Sequence, residues 1–205
     1  MLAGHPFDTV KVYLQNNRKK AIPGLYRGCV YPVATDAVYC GFVIPFYTRS
    51  REQRPYTPPV CTGFLSGVLV SPIVFALDTF KVLRQTGQRV RGDLAIALLR
   101  GRGKRATVCR EALALSIYMP LYDELSGARW KMDAYNAGAV TGLLSWTLTY
   151  PIDVVRNRQM AQGIGFNTAV SQGCLWSGYS VCALRAIIVN AVLFQTREWV
   201  LNGLS

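Results

Sequence analysis

The sequence predicts an all-α membrane protein made of three copies of one helical unit. Three observations carry that expectation. A charged corner recurs at long intervals. The chain is apolar for its size. Its basic residues gather beside apolar runs instead of covering one soluble face.

The corner reads Pro6-Phe7-Asp8-Thr9-Val10-Lys11 in the first copy and Pro151-Ile152-Asp153-Val154-Val155-Arg156 in the third. The second, Ala76-Leu77-Asp78-Thr79-Phe80-Lys81, has lost the proline but kept acid and base three residues apart. Later landmarks give an independent check. Asp78 to Gly103 and Asp153 to Gly178 are both 25 residues. Gly28 to Thr35, Gly103 to Arg110 and Gly178 to Arg185 are 7 each, so the last members fall 75 apart. The first copy is five residues short between Asp8 and Gly28. These spacings divide the chain into units at 1–55, 56–130 and 131–205.

Of the 205 residues, 51% are hydrophobic and only 17% are charged, against about a quarter in soluble domains. The formal net charge is +12. Lys11, Arg18, Lys19, Lys20 and Arg27 form one basic cluster; Lys81, Arg84, Arg89, Arg91, Arg100, Arg102, Lys104 and Arg105 form another. Clusters separated by an even number of spans lie on one side of a bilayer. They suit anionic lipid head groups, such as cardiolipin. Because the bases flank apolar runs, nucleic acid is not the expected partner. Cysteines 29, 40, 61, 109, 174 and 182 show no CxxC pair and no zinc spacing, and are expected to pack as buried thiols. His5 is the single histidine, which excludes a multi-histidine metal site. No set of nucleophile, base and orienting group is visible. The expectation is therefore no metal, no cofactor and no enzymatic activity.

Apolar segments fall at 31–47, 60–81, 108–122, 135–155 and 180–196. A span needs about 20 predominantly apolar residues; 60–81 and 135–155 are expected to meet that length well. Gly63 with Gly67, and Gly138 with Gly142, place glycines on one helical face, where backbones can approach closely. Pro6, Pro72 and Pro151 are expected to kink their helices. The acid and base after each bend would otherwise meet hydrocarbon, and ionisable groups in spans turn inward and pair. Around a threefold axis the expected pairs are Asp8 with Lys81, Asp78 with Arg156, and Asp153 with Lys11. The plainer reading is that these charges only end helices at the water boundary.

With these residues the chain resembles the mitochondrial carrier family, whose three repeats each open on Pro-x-Asp/Glu-x-x-Lys/Arg. Pro6–Gln15, Gly24-Leu25-Tyr26-Arg27-Gly28, Pro151–Arg158 and Arg185–Glu198 carry the likeness. The resemblance implies tilted helices around a substrate path and exchange of solutes across the inner mitochondrial membrane. It implies a matrix-side gate of Asp8, Lys11, Asp78, Lys81, Asp153 and Arg156, with Gln15 and Gln85 as braces beneath it. Met160 stands at the third brace position. The chain departs from the family in places. Only five residues precede Pro6, so a first helix is largely missing from this sequence. Ala76 replaces the second signature proline. The family's opposite gate, an aromatic-acid-x-x-base pattern, survives in fragments at Tyr47-Thr48 with Arg51, at Tyr122-Asp123, and at Arg197-Glu198.

The positions 75 apart read Thr35-Asp36, Arg110-Glu111 and Arg185-Ala186. An Arg followed by an acid resembles the amino-acid and carnitine-type branch. For a zwitterionic substrate of that kind, Arg110 or Arg185 would clamp the carboxylate, and Glu111 and Asp36 would face the cation. The competing reading, mutual neutralisation of Arg110 and Glu111, is disfavoured because adjacent helical residues point about 100° apart. Trp146, Trp176 and Trp199 receive no substrate role, and Tyr39 and Tyr118 are expected to pack in the core, with lining of the path as the other reading. Three functional readings stand: an exchanging solute transporter, a truncated, non-transporting carrier-like membrane protein, and a basic soluble helical protein.

Overall fold

The computed structural model describes residues 4–16, 24–26, 28–86, 101–127 and 129–184. Within them α1 is His5–Gln15, α2 is Val30–Val38, and a π-helical turn at Tyr39–Val43 leads without a break into α3, Ile44–Gln53. α4 is Pro59–Gln85, α5 is Lys104–Ser126, α6 is Ala134–Gln162, and α7 is the short Phe166–Ser171. Residues 179–184 are helical again. No strand occurs among the described residues.

The repeat is written in the backbone as well as in the charges. Gly28, Gly103 and Gly178, 75 residues apart, sit at φ +87°, +92° and +80°. Each turns the chain into the helix after it. A side chain there would strain the left-handed conformation, which explains glycine at all three. At its other end α6 stops at Gly163 (φ +64°), whose N–H bonds to the Gln159 carbonyl at 3.0 Å.

α4 shows how the bundle is solvated. Its inward face holds Thr62, Gly63, Ser66, Gly67 and Ser71, all buried, while Phe64, Leu65, Leu69 and Ile73 face outward, Phe64 at 49% exposure. Small and polar residues inside with large apolar residues outside invert the pattern of a water-soluble helix and suit lipid. By length and composition α4 is the described helix able to cross a membrane. Segment 135–155 does not reach that standard, contrary to expectation. Thr141, Ser145 and Thr149 lower its hydropathy, and all three are buried. They bond to carbonyls, Ser145 reaching Ala114 on α5 at 3.0 Å.

The two glycine pairs separate. A Cβ added at Gly63 or Gly67 would collide with the α5 backbone at Leu115–Ser116 or Glu111–Ala112. At Gly138 and Gly142 it would meet only the rings of Tyr118 and Tyr122 at ordinary contact, 3.8–4.0 Å. So the first pair sets how closely α4 and α5 approach, and the second does not.

The prolines separate too. Pro72 and Pro151 lie inside α4 and α6. Pro72 frees the Val68 carbonyl, and Ser71 Oγ donates to it at 2.8 Å. Pro6 sits in the first turn of α1, where a missing donor costs little, so in the described residues it opens a helix rather than kinking one. Pro120 inside α5, and Pro45 just after the π turn, carry no mark in the sequence pattern. Pro45 crowds the carbonyl four residues back; the turn loosens, and the Ile44 N–H reaches the Tyr39 carbonyl.

The cysteines differ from expectation. Cys182 is buried, but Cys40, Cys61, Cys109 and Cys174 are exposed. On α4 and α5, where Cys61 and Cys109 lie, the outward surface is the apolar one, and a small apolar thiol fits it equally well.

Candidate functional site

α1, α4 and α6 each present an acid and a base three residues apart on one inward face. Lys11 Nζ lies 2.8 Å from Asp153 Oδ2, joining α1 to α6. Arg156 Nη1 lies 2.8 Å from Asp78 Oδ2, joining α6 to α4. Lys81 Nζ lies 3.1 Å from Asp8 Oδ2, closing the circle from α4 to α1. Arg156 Nη2 also meets Asp153 Oδ1 at 2.9 Å within its own helix. Each helix thus gives its acid to one neighbour and its base to the other. The ring is unevenly buried. The Lys11–Asp153 pair is almost wholly enclosed, whereas the Lys81 side chain keeps 19% of its surface.

Below the ring, Gln15 Nε2 donates to Tyr150 Oη at 3.2 Å, and Asn157 Nδ2 donates to Gln15 Oε1 at 2.6 Å and to Asp153 Oδ2 at 3.3 Å. Gln15 therefore reaches the ring through Asn157. Gln85 Nε2 donates to Thr9 Oγ1 at 3.2 Å. Met160 joins an apolar cluster with Val12, Phe75, Val82 and Ala161. Arg158, fully buried, bonds the carbonyls of Gln15, Ala169 and Gly173. It ties the end of α1 to the segment after α6. Nothing in its sequence neighbourhood marks a base that spends its charge on carbonyls.

Above the ring lies a cavity of about 420 Å³. Thr35, Asp36 and Tyr39 line it from α2 and the π turn, Arg110, Glu111 and Tyr118 from α5, and Trp146 from α6. Thr35 Oγ1 donates to the Tyr31 carbonyl at 2.9 Å. Arg185, the remaining expected site residue, lies outside the described residues. Four of the five expected residues, Thr35, Asp36, Arg110 and Glu111, thus share one cavity whose floor is the charge ring.

Arg110 and Glu111 pair directly, Nη1 to Oε1, against the expectation from helix geometry. Their Cβ atoms diverge, but the long guanidinium side chain bends back to the carboxylate. Glu111 is fully buried. Its Oε2 accepts from Tyr39 Oη, and its Oε1 lies 3.5 Å from Arg156 Nη1. Tyr39 is therefore a site residue and not simple packing. So is Trp146: its ring lies 4.5 Å from Lys11 Nζ and 4.7 Å from the Arg110 guanidinium carbon. Both cations face one indole, which holds them apart without a second charge.

Toward the end of the bundle away from the ring, beyond the residues that line the cavity, Tyr47 on α3 donates to Asp123 Oδ2 on α5 at 2.7 Å. Arg51 turns away and donates to the Thr57 carbonyl at 2.6 Å. Arg197 and Glu198 lie outside the described residues. Of the fragmentary opposite gate, the described residues retain a tyrosine–carboxylate bond in place of an ion pair.

A family described as "Mitochondrial carrier protein" matches residues 127–205. Across nearly the whole chain there is similarity to curated relatives. Solute carrier family 25 member 45 of Mus musculus is 25% identical, the alignment covering 98% of this chain and 93% of the relative. The mitochondrial arginine transporter BAC2 of Arabidopsis thaliana is 27% identical, over 100% of this chain and 87% of the relative. The mitochondrial basic amino acids transporter of Bos taurus is 28% identical, over 98% and 87%. Members of this family carry solutes and are not enzymes. The triple charged corner, the helical bundle around a polar cavity and these similarities agree in one respect: the chain is similar to mitochondrial carriers.

Proposed function

We propose that the chain is a multi-pass carrier of the inner mitochondrial membrane that exchanges a basic amino acid through the central cavity. Its three units are 1–55, 56–130 and 131–205. The observation that carries this reading is the charge of the cavity wall. Among the described lining residues, Asp8, Asp36, Asp78, Glu111 and Asp153 face Lys11, Lys81, Arg110 and Arg156. Asp36 and Arg110 thus offer an acid for a cationic group and a guanidinium for a carboxylate in the same cavity, which suits a basic amino acid. Two relatives bear names of arginine or basic amino acid transporters, which supports the same substrate class.

In this reading Arg110 clamps the substrate carboxylate with paired hydrogen bonds. Arg185 stands at the equivalent position of the third unit. Asp36 faces the cationic end, Glu111 spends its two oxygens on Arg110 and Tyr39 and so holds the clamp in place, and Thr35 shapes the wall. The charge ring is the matrix gate and Gln15 and Gln85 are its braces. Binding drives transport only so far as the substrate is held more tightly when the ring is opening than when it is closed. Anionic lipid, cardiolipin included, suits the basic clusters outside the spans.

Proteoliposomes holding the full chain and internal arginine should take up external labelled arginine. Arg110→Ala should cut that uptake by about a hundredfold, the scale of losing a charged clamp of about 3 kcal/mol, while the protein stays folded. Uptake that Arg110→Ala leaves unchanged would refute the site. Uptake of carnitine in preference to arginine would move the substrate class.

A further inference from the structure

Arg156 belongs to two constellations at once. Its Nη1 makes the ring bond to Asp78 at 2.8 Å and lies 3.5 Å from Glu111 Oε1. That same Glu111 oxygen is held by Arg110. One carboxylate oxygen is therefore shared by the expected substrate clamp and a gate residue, and one guanidinium nitrogen is shared by the gate and the substrate site. The Nε of Arg110 and the Nε of Arg156 have no hydrogen-bond partner among the described residues. Both guanidinium groups thus hold a spare donor inside a buried site, where a donor left unmade is costly.

We infer that Glu111 is the coupling residue between cavity and gate: a substrate carboxylate draws Arg110 off Glu111, and Glu111 then draws Arg156 Nη1 off Asp78. The inference rests on Arg110 as the carboxylate clamp and extends that reading to the events after clamping. Glu111 is fully buried, so it does not stay unpaired once Arg110 leaves. Tyr39 still occupies Oε2, and the nearest remaining cation for Oε1 is Arg156. The shift needed is small, since the two Nη1 distances are 2.8 and 3.5 Å. Arg156 keeps Asp153 through Nη2, so it pivots and is not released. The bond lost is the one between α4 and α6, a contact that crosses two units of the bundle. Trp146 bears on the same event from the other side. Its ring faces both Arg110 and Lys11, so displacement of Arg110 leaves the indole to Lys11 alone. Glu111 acts here through its neighbours, as a positioning residue.

The test is a double-mutant cycle on the full chain, with L-arginine as probe and two readouts, arginine-evoked thermal stabilisation in detergent and exchange rate in proteoliposomes. Glu111→Gln should keep most of the thermal stabilisation, because Arg110 remains free to clamp, yet lower the maximal exchange rate about tenfold. Glu111→Asp, one methylene shorter, should behave alike and guards against a folding defect in the first variant. With Asp78→Asn present, the bond that Glu111 would break is already gone, so Glu111→Gln should change exchange by less than about twofold further. Equal losses in the two backgrounds would overturn the coupling. So would parallel loss of stabilisation and exchange in both Glu111 variants, which would make Glu111 a plain ligand. If Arg110→Ala instead leaves arginine stabilisation intact, the carboxylate clamp itself fails, and the coupling falls with it for that separate reason.

Discussion

The two ends of the bundle are tied by different chemistry. At one end three ion pairs run head to tail between α1, α4 and α6, and Lys11–Asp153, like the Arg156–Asp153 pair within α6, is almost free of solvent. At the other, Tyr47 and an exposed Asp123 share one hydrogen bond. A buried charge that loses its partner is left in low dielectric, which is far costlier than a solvated carboxylate losing a hydroxyl. The ring is therefore a strong closure that opens only against compensation. The tyrosine contact is a weak one that thermal motion overcomes.

The largest expected effect comes from breaking the strong end. Lys11→Met leaves Asp153 only Arg156 and the Asn157 amide and should cost about 3–5 kcal/mol, read as a fall in the midpoint of thermal unfolding in detergent. Lys81→Met removes the most exposed member of the ring and should cost clearly less. Equal falls for the two would mean that burial does not set the strength of the closure. A middle-sized effect tests what joins the ends. Gly67→Val places side-chain atoms in the α5 backbone and should cost about 2–3 kcal/mol, while Gly142→Val meets only a tyrosine ring and should cost under about 1 kcal/mol. Matching losses at the two glycines would deny that the first pair alone sets how closely a neighbouring helix can approach.

The legibility of each feature depends on how local its cause is. The charged corners could be read because an acid and base inside an apolar run must find partners, and a threefold spacing names them. The three positive-φ glycines announce themselves by their spacing of 75. The Arg110–Glu111 pair is not legible from helix geometry, because the angle between neighbours describes Cβ directions, while the guanidinium sits several rotatable bonds beyond Cβ. Tyr39 is hidden because its register depends on a π turn induced by Pro45, six residues later. Trp146 and Arg158 act through contacts with residues more than a hundred positions away, Lys11 and Gln15. Local pattern holds no trace of those contacts. The glycine pairs show the same limit. The spacing says that close approach is possible, and only the partner helix decides whether it happens.

The smallest expected effect sharpens the comparison most. Tyr47→Phe keeps the ring and its packing against Val43, Val70 and Val74 but removes the hydroxyl that reaches Asp123. Asp123 is exposed and regains water, so the loss should be only about 0.5–1 kcal/mol. That is a factor of about two to five in a conformational equilibrium. If the tyrosine bond exists to hold the weak end shut while the ring opens, its loss should favour the ring-closed arrangement further. Exchange at saturating arginine should then slow by that factor, while unfolding stability measured with the ring closed should hardly change. A fall in unfolding stability as large as that of Lys11→Met would show instead that the two ends are equally strong, and the asymmetry drawn from their chemistry would be wrong.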